Sequence, residues 1–211
     1  MRARRGRGRA SPRGAALGGA PAAEWGDADA FDQRLRRALE NRAFLALTVS
    51  PRRLADAERA LAAGFAVDAR SADELLIRHM KAAAREAGAD WRIVLRADRE
   101  PRGSADWATL LRLVGHRALP RVRAELASAP RAVLLTNLGL LVRYDQMAFL
   151  DLLRDAAGRA DGPPGVWLLV PSDAQESRPL VDGRPVPVFT AAQWARIPSA
   201  WLAARRPPTD A

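Results

Sequence analysis

Three apolar runs, Phe44–Val49, Ala132–Thr136 and residues 166–170, constrain the fold of this chain more than any other feature. Each has the length of a strand and none alternates apolar with polar residues, so each reads as a buried strand. Helix-period segments lie between them. Residues 29–42 place Phe31, Leu35 and Leu39 four apart behind an acidic start, one apolar stripe on a helix. After the first run, Ser50 and Pro51 offer an N-cap and a first-turn proline to a helix that stops at Gly64. Residues 65–69 make a further candidate strand, and Ser71 with Glu74 forms a capping-box pattern that opens a helix near Ala72 and closes at Gly88. Strand followed by helix, repeated, predicts an α/β fold: a mostly parallel open sheet with crossover helices.

Further along, residues 91–95 are expected as a strand and residues 99–103 as a polar loop. Ser104 should cap a longer helix that Pro120 kinks or divides, and residues 141–157 should form one helix ending at Gly158. Asp182-Gly183 between short β-type runs predicts a hairpin. Thr190 to Gln193 repeats the capping-box pattern and predicts a short helix that holds Trp194 and ends at Pro198, after which residues 201–211 fray. The expected organisation is a disordered arginine-rich tail over 1–23, a single α/β domain over 24–204 and a disordered tail over 205–211.

The net charge of +10 is unevenly spread. Arg2, Arg4, Arg5, Arg7, Arg9 and Arg13 fall in the first 23 residues with no acidic residue among them, which leaves +4 for the other 188. Such a tail suits a polyanion, so nucleic acid is one candidate partner. A plain linker is the competing account, because 33 of the 34 basic residues are arginine and that bias accompanies GC-rich coding sequence. The absence of cysteine excludes disulfides and thiolate metal sites. No apolar run reaches the 18 or so residues of a membrane helix, and the N-terminus lacks the apolar stretch of a secretory signal. A cytoplasmic location, without membrane association, is expected.

Familiar catalytic signatures are missing. The phosphate-binding loop needs a lysine behind a glycine-rich turn, whereas the first strand runs into Ser50-Pro51-Arg52-Arg53 and the only lysine, Lys81, lies in mid-helix. Neither the His-Arg-Asp and Asp-Phe-Gly loops of a kinase nor the Gly-x-Ser-x-Gly elbow of a hydrolase occurs. His79 and His116 sit on separate predicted helices without metal-ligand spacing. No catalytic residue, metal ligand or cofactor is therefore assigned. Two polar features remain. Thr136 and Asn137 close a buried strand at its carboxyl end, where ligands of open α/β sheets bind, although a cap for the next helix is the simpler account of them. Asp98 follows Ile93-Val94-Leu95 at poor spacing for a metal carboxylate and reads as a loop residue. Core packing is the default for the tryptophans, with a partner-docking surface built from Trp194 and Trp201 as the alternative, since the terminal segment looks too short to bury both rings.

The wording of residues 132–147 (AVLLTNLGLLVRYDQM), 162–171 (GPPGVWLLVP) and 180–188 (LVDGRPVPV), with 106–120, is more distinctive. Together these segments resemble the far C-terminal region of the multidomain proteins of BREX/Pgl bacteriophage-exclusion systems of actinobacteria, the serine/threonine kinase component PglW before the ATPase component PglY. The resemblance covers residues 44–203. It implies a detached or truncated terminal module, with interaction or regulation inside a phage-defence assembly as its role and other components of that system as its partners. It also implies a layout like the second half of a P-loop ATPase core, with Thr136 and Asn137 at the position of a sensor residue. None of the family's kinase or ATPase motifs has a matching position here, so no catalytic residue is carried over. Two alternatives stand beside this reading: a degenerate nucleotide-binding domain that completes an ATP site with a partner, and a nucleic-acid-binding protein that uses the arginine tail.

Overall fold

The computed structural model describes residues 28–173 and 176–205. The arginine tail, Trp25 and residues 206–211 lie outside the described residues. Five parallel strands form the central sheet: β1 (Phe44–Val49), β2 (Val67–Ser71), β3 (Ala132–Thr136), β4 (Val166–Pro171) and β7 (Trp194–Arg196), in the spatial order β2-β3-β4-β1-β7. The two-residue strands β5 (Leu180–Val181) and β6 (Arg184–Pro185) form an antiparallel hairpin beside it. This is the α/β architecture expected from the apolar runs.

Helices cover both faces of the sheet, which explains why the central strands show no polar alternation. On one face, Phe44, Ala46, Val133, Leu135, Val166, Leu168 and Val170 pack against α3 (Ala72–Glu86), α4 (Trp91–Ala97), α5 (Ala105–Arg112), α6 (Leu119–Ala127), α7 (Gly139–Arg143) and α8 (Ala148–Ala156). On the other, Leu45, Leu47, Leu134, Trp167 and Leu169 pack against α1 (Ala28–Glu40), α2 (Leu54–Gly64) and α9 (Ser199–Ala204). Successive strand residues alternate between the two cores, as the two-residue period of a strand requires. Among the described residues no helix is long and apolar enough to cross a membrane.

Several local expectations need correction. Residues 91–97 are helical, because Asp90 accepts a hydrogen bond from the Arg92 N–H at 2.8 Å and starts a helix where the apolar run suggested a strand. The strand expected at 65–69 lies two residues later, at Val67–Ser71. Ser50 holds the N-cap position of the 3₁₀ turn Pro51–Arg53, but its hydroxyl makes no cap bond. The break expected at Pro120 is a π-helical turn, Leu113–Ala118, which joins α5 to α6 and leaves the proline in the first turn of α6, where its missing N–H is not needed. Ser71 and Ser104 do cap, accepting from the Glu74 and Trp107 N–H groups at 3.2 and 3.1 Å.

The single helix expected over 141–157 is two. Asp145 takes a left-handed conformation (φ 54°), and the Gln146 N–H reaches back to the Leu141 carbonyl at 2.7 Å while that of Asp145 reaches Val142 at 3.1 Å. These two bonds make a Schellman stop of the kind usually signalled by glycine. Arg42 (φ 51°) ends α1 in the same way, with Ala43 donating to Ala38 at 2.8 Å.

The terminal segment departs furthest from expectation. Thr190 makes no cap bond, the helix beyond it is one 3₁₀ turn, Ala191–Gln193, and Trp194 begins a strand that pairs with β1. Pro198 precedes a helix, α9, instead of ending one, so residues 199–204 are ordered structure and not frayed chain. Trp201 is 0% exposed, with its ring edge-on to Phe31 and its N–H donating to Asp32 at 3.0 Å. Of the two rings considered for a partner surface, Trp201 is an anchor of the core beneath α1, in line with core packing, and Trp194 is half-buried against Thr48.

Candidate functional site

The carboxyl ends of β2, β3 and β4 open into a cavity of about 460 Å³, lined among others by Ser71, Asp73, Asn137, Gly139, Pro171 and Asp182. This is the edge of an open α/β sheet at which ligands bind. Each wall has a local cause. Ser71 ends β2 and caps α3, which places Asp73 in the first turn of that helix. Asp182 and Gly183 hold positive φ (46° and 78°), the two-residue turn that reverses β5 into β6 and carries a carboxylate to the rim.

Thr136 and Asn137 divide in role. Thr136 is 2% exposed, whereas Asn137 is exposed, sits at φ 51° and lines the cavity. The Asn137 side-chain amide donates weakly to the Ser71 and Thr136 hydroxyls, both at 3.4 Å, and the Asn137 main-chain carbonyl accepts from the Asp73 N–H at 3.0 Å. Neither residue caps α7, whose N-cap position is Leu138 without a side-chain bond. The cap comes from across the fold: Asp73 Oδ1 accepts from the Leu140 N–H at 2.9 Å.

Asp73 is the residue that sequence reasoning missed. Its capping-box position suggested only a local role, and Asp182 likewise read only as a turn. The fold brings both over Gly139, where a Cβ would stand 3.5 Å from Asp182 Oδ2 and 3.7 Å from Asp73 Oδ2. Burial pushes the Asp73 carboxyl above its ordinary pKa, the Leu140 N–H partly opposes this, and the Asp182 charge adds to the rise. Two carboxylates with Ser71 and Asn137 suit hydroxyl or amine groups, and they repel a bare phosphate.

The remaining sequence candidates lie elsewhere. Asp98 pairs with Arg143 at 2.8 Å, as a loop carboxylate does. The His79 ring meets Glu125 at 2.8 Å, and Glu125 also receives Arg70 and Arg78, each at 2.7 Å. His116 is exposed in the π-helical turn. A second concavity, about 720 Å³ and mainly apolar, lies between α6 and α8 around Leu119, Phe149 and Leu152. Among the described residues no group of three or more histidine or acidic side chains is placed to hold a metal ion.

Comparison with known proteins adds one relationship. Part of this chain is similar to the probable kinase PglW of Streptomyces coelicolor. The two are 35% identical over 123 residues, 54% of this chain and 8% of PglW. The chain thus spans less than a tenth of the relative it matches, so the similarity concerns a PglW-related region and not a whole kinase. No family model matches, and no solved structure matches.

Proposed function

We propose that the chain is a non-catalytic interaction or regulatory module of a Pgl-type bacteriophage-exclusion system. The similarity of 123 residues to PglW carries this reading. The activity in that protein's name does not transfer with it, because the sequence has no glycine-rich loop, no His-Arg-Asp loop and no Asp-Phe-Gly loop.

Completion of an ATP site with a partner is the second reading, and the cavity at the carboxyl edge of the sheet favours it by position. Its lining opposes it. A triphosphate entering there would face Asp73, Glu74 and Asp182, with no lysine or arginine lining the cavity among the described residues. The turn after β1 also begins with Pro51, which has no N–H to offer a phosphate.

Deleting the gene in its host and restoring it in trans tests the proposal. Phage plaquing should rise on deletion and fall again on complementation, and unchanged plaquing rejects the reading. Calorimetric titration of the chain with Mg-ATP, alone and with proteins encoded beside it, separates the two readings. Binding that appears only with a partner would favour the second.

A further inference from the structure

Residues 78–131, which run from α3 through α6, contain twelve basic and six acidic residues, a net +6, while the rest of residues 24–211 sum to −2. The net positive charge of the chain outside the arginine tail therefore belongs to one helical layer on one face of the sheet.

Within that layer the charge is ordered. On α4, Arg92 and Arg96 stand at i and i+4, and at 100° per residue they point opposite to the buried Val94 and Ala97, while Arg99 follows in the turn just beyond the helix. On α3, Arg78, Lys81 and Arg85, at i, i+3 and i+7, lie opposite to Leu76, Met80 and Ala83. Both helices pack on the same core, so both stripes face outward on the same side. They adjoin where the Lys81 ammonium lies 5.5 Å from the centre of the half-buried Trp91 ring.

The paired members of the layer are accounted for: Arg78 engages Glu125 and Arg121 engages Glu86. Arg85, Arg92 and Arg96 are exposed and make no ion pair within 4.0 Å among the described residues, and the exposed Arg99 interacts electrostatically with Asp98. Asp90, beside the stripe, is committed to capping α4.

We infer that the outward face of α3 and α4 is a docking surface for double-helical nucleic acid, bound through its phosphates without sequence preference. Two guanidinium groups one turn apart on α4, with Arg99 just beyond its end, face a polyanion that carries one charge per 3.4 Å of axis on each strand. Guanidinium is the side chain best matched to phosphate oxygens, and Arg92 and Arg96, which make no internal ion pair, give up none when they bind. The surface is distinct from the arginine tail and independent of the phage-exclusion reading.

The test is fluorescence anisotropy of the full chain on a mixed-sequence DNA duplex across a salt series. The triple variant Arg92→Gln, Arg96→Gln, Arg99→Gln should weaken binding and make the slope of log K against log salt shallower by about 2.7, or 0.9 per lost phosphate contact. Arg36→Gln, Arg37→Gln, Arg59→Gln removes the same charge from exposed positions on α1 and α2 and should leave that slope nearly unchanged. Deleting residues 2–23 should leave a component of binding that the α4 variant abolishes. Equal loss in both triple variants overturns the inference, as does binding that vanishes with the tail and ignores α4. The absence of duplex binding also overturns it, and in that case an α4-dependent response to phosphatidylserine vesicles or to an acidic peptide flanked by Ile93 and Leu95 would identify the alternative partner.

Discussion

The Trp194 indole N–H donates to the Thr48 hydroxyl at 3.1 Å and so ties the last strand of the sheet to the first, 146 residues earlier in the chain. Thr48 is fully buried and its hydroxyl also lies 3.5 Å from the Ala195 carbonyl. Thr48→Val keeps the volume and removes the acceptor, which leaves the indole N–H without a partner. The expected cost is roughly 1–2 kcal/mol, read as a lower urea midpoint at unchanged m-value.

Trp201→Ala should be the most damaging single change in the core under α1. It empties a site packed by Phe31 and Phe65 and releases Asp32 from its indole partner. A loss of about 3–5 kcal/mol is expected from thermal or urea unfolding. Trp194→Ala, at a half-buried position, should cost less, and the reverse order would contradict the packing described.

Gly162 cannot accept a side chain. A Cβ there would stand 1.9 Å from the Ala156 carbonyl oxygen, a backbone atom that cannot step aside without moving the end of α8. Gly162→Ala should lower stability by about 1–3 kcal/mol, whereas Gly139→Ala, whose Cβ would meet only ordinary contacts, should be tolerated.

Asp73 makes a pH prediction of unusual sign for an aspartate. Its folded pKa lies above the ordinary value, raised by burial and by the Asp182 charge, so the folded state binds the proton more tightly than the unfolded chain. The resulting penalty is present above the folded pKa and disappears as pH falls through it. Asp73→Asn keeps an oxygen to accept from Leu140 and should be more stable than the parent at pH 7, with the advantage shrinking in acid. An advantage that grows on acidification would refute this.

Glu125 should behave in the opposite way. Burial opposes its ionisation, but hydrogen bonds from Arg78 and His79 outweigh that and hold the carboxyl below its ordinary value. Its stabilisation is present above the unfolded pKa and is lost as pH falls through the folded one. Glu125→Gln should cost about 1–2 kcal/mol at pH 7, and the difference from the parent should narrow as pH falls below the ordinary glutamate range.

The candidate cavity was only half legible in the sequence. Asn137 was found because a polar residue closing a buried strand is a pattern along the chain. Asp73 and Asp182 were not, because each already satisfied a local rule and nothing in the sequence indicates that α3 and the hairpin meet over Gly139. Helix stops at Gly88 and Gly158 could be read because glycine marks a left-handed residue, whereas Arg42 and Asp145 adopt the same conformation without that mark.

By itself, the sequence determined β1, β3 and β4 to the residue or nearly so, the serine caps at 71 and 104, the Asp182-Gly183 turn and the α/β class. Each depends on hydrophobic runs or on hydrogen bonds within four residues, which a linear pattern records. Only the tertiary structure decided that Trp194–Arg196 is a strand, that Trp201 packs on Phe31 and donates to Asp32, and that Asp73 caps a helix 67 residues away. A three-residue strand has too little intrinsic preference to declare itself. It exists because β1 offers an unpaired edge and Thr48 offers an acceptor, and both are supplied by residues remote in the chain.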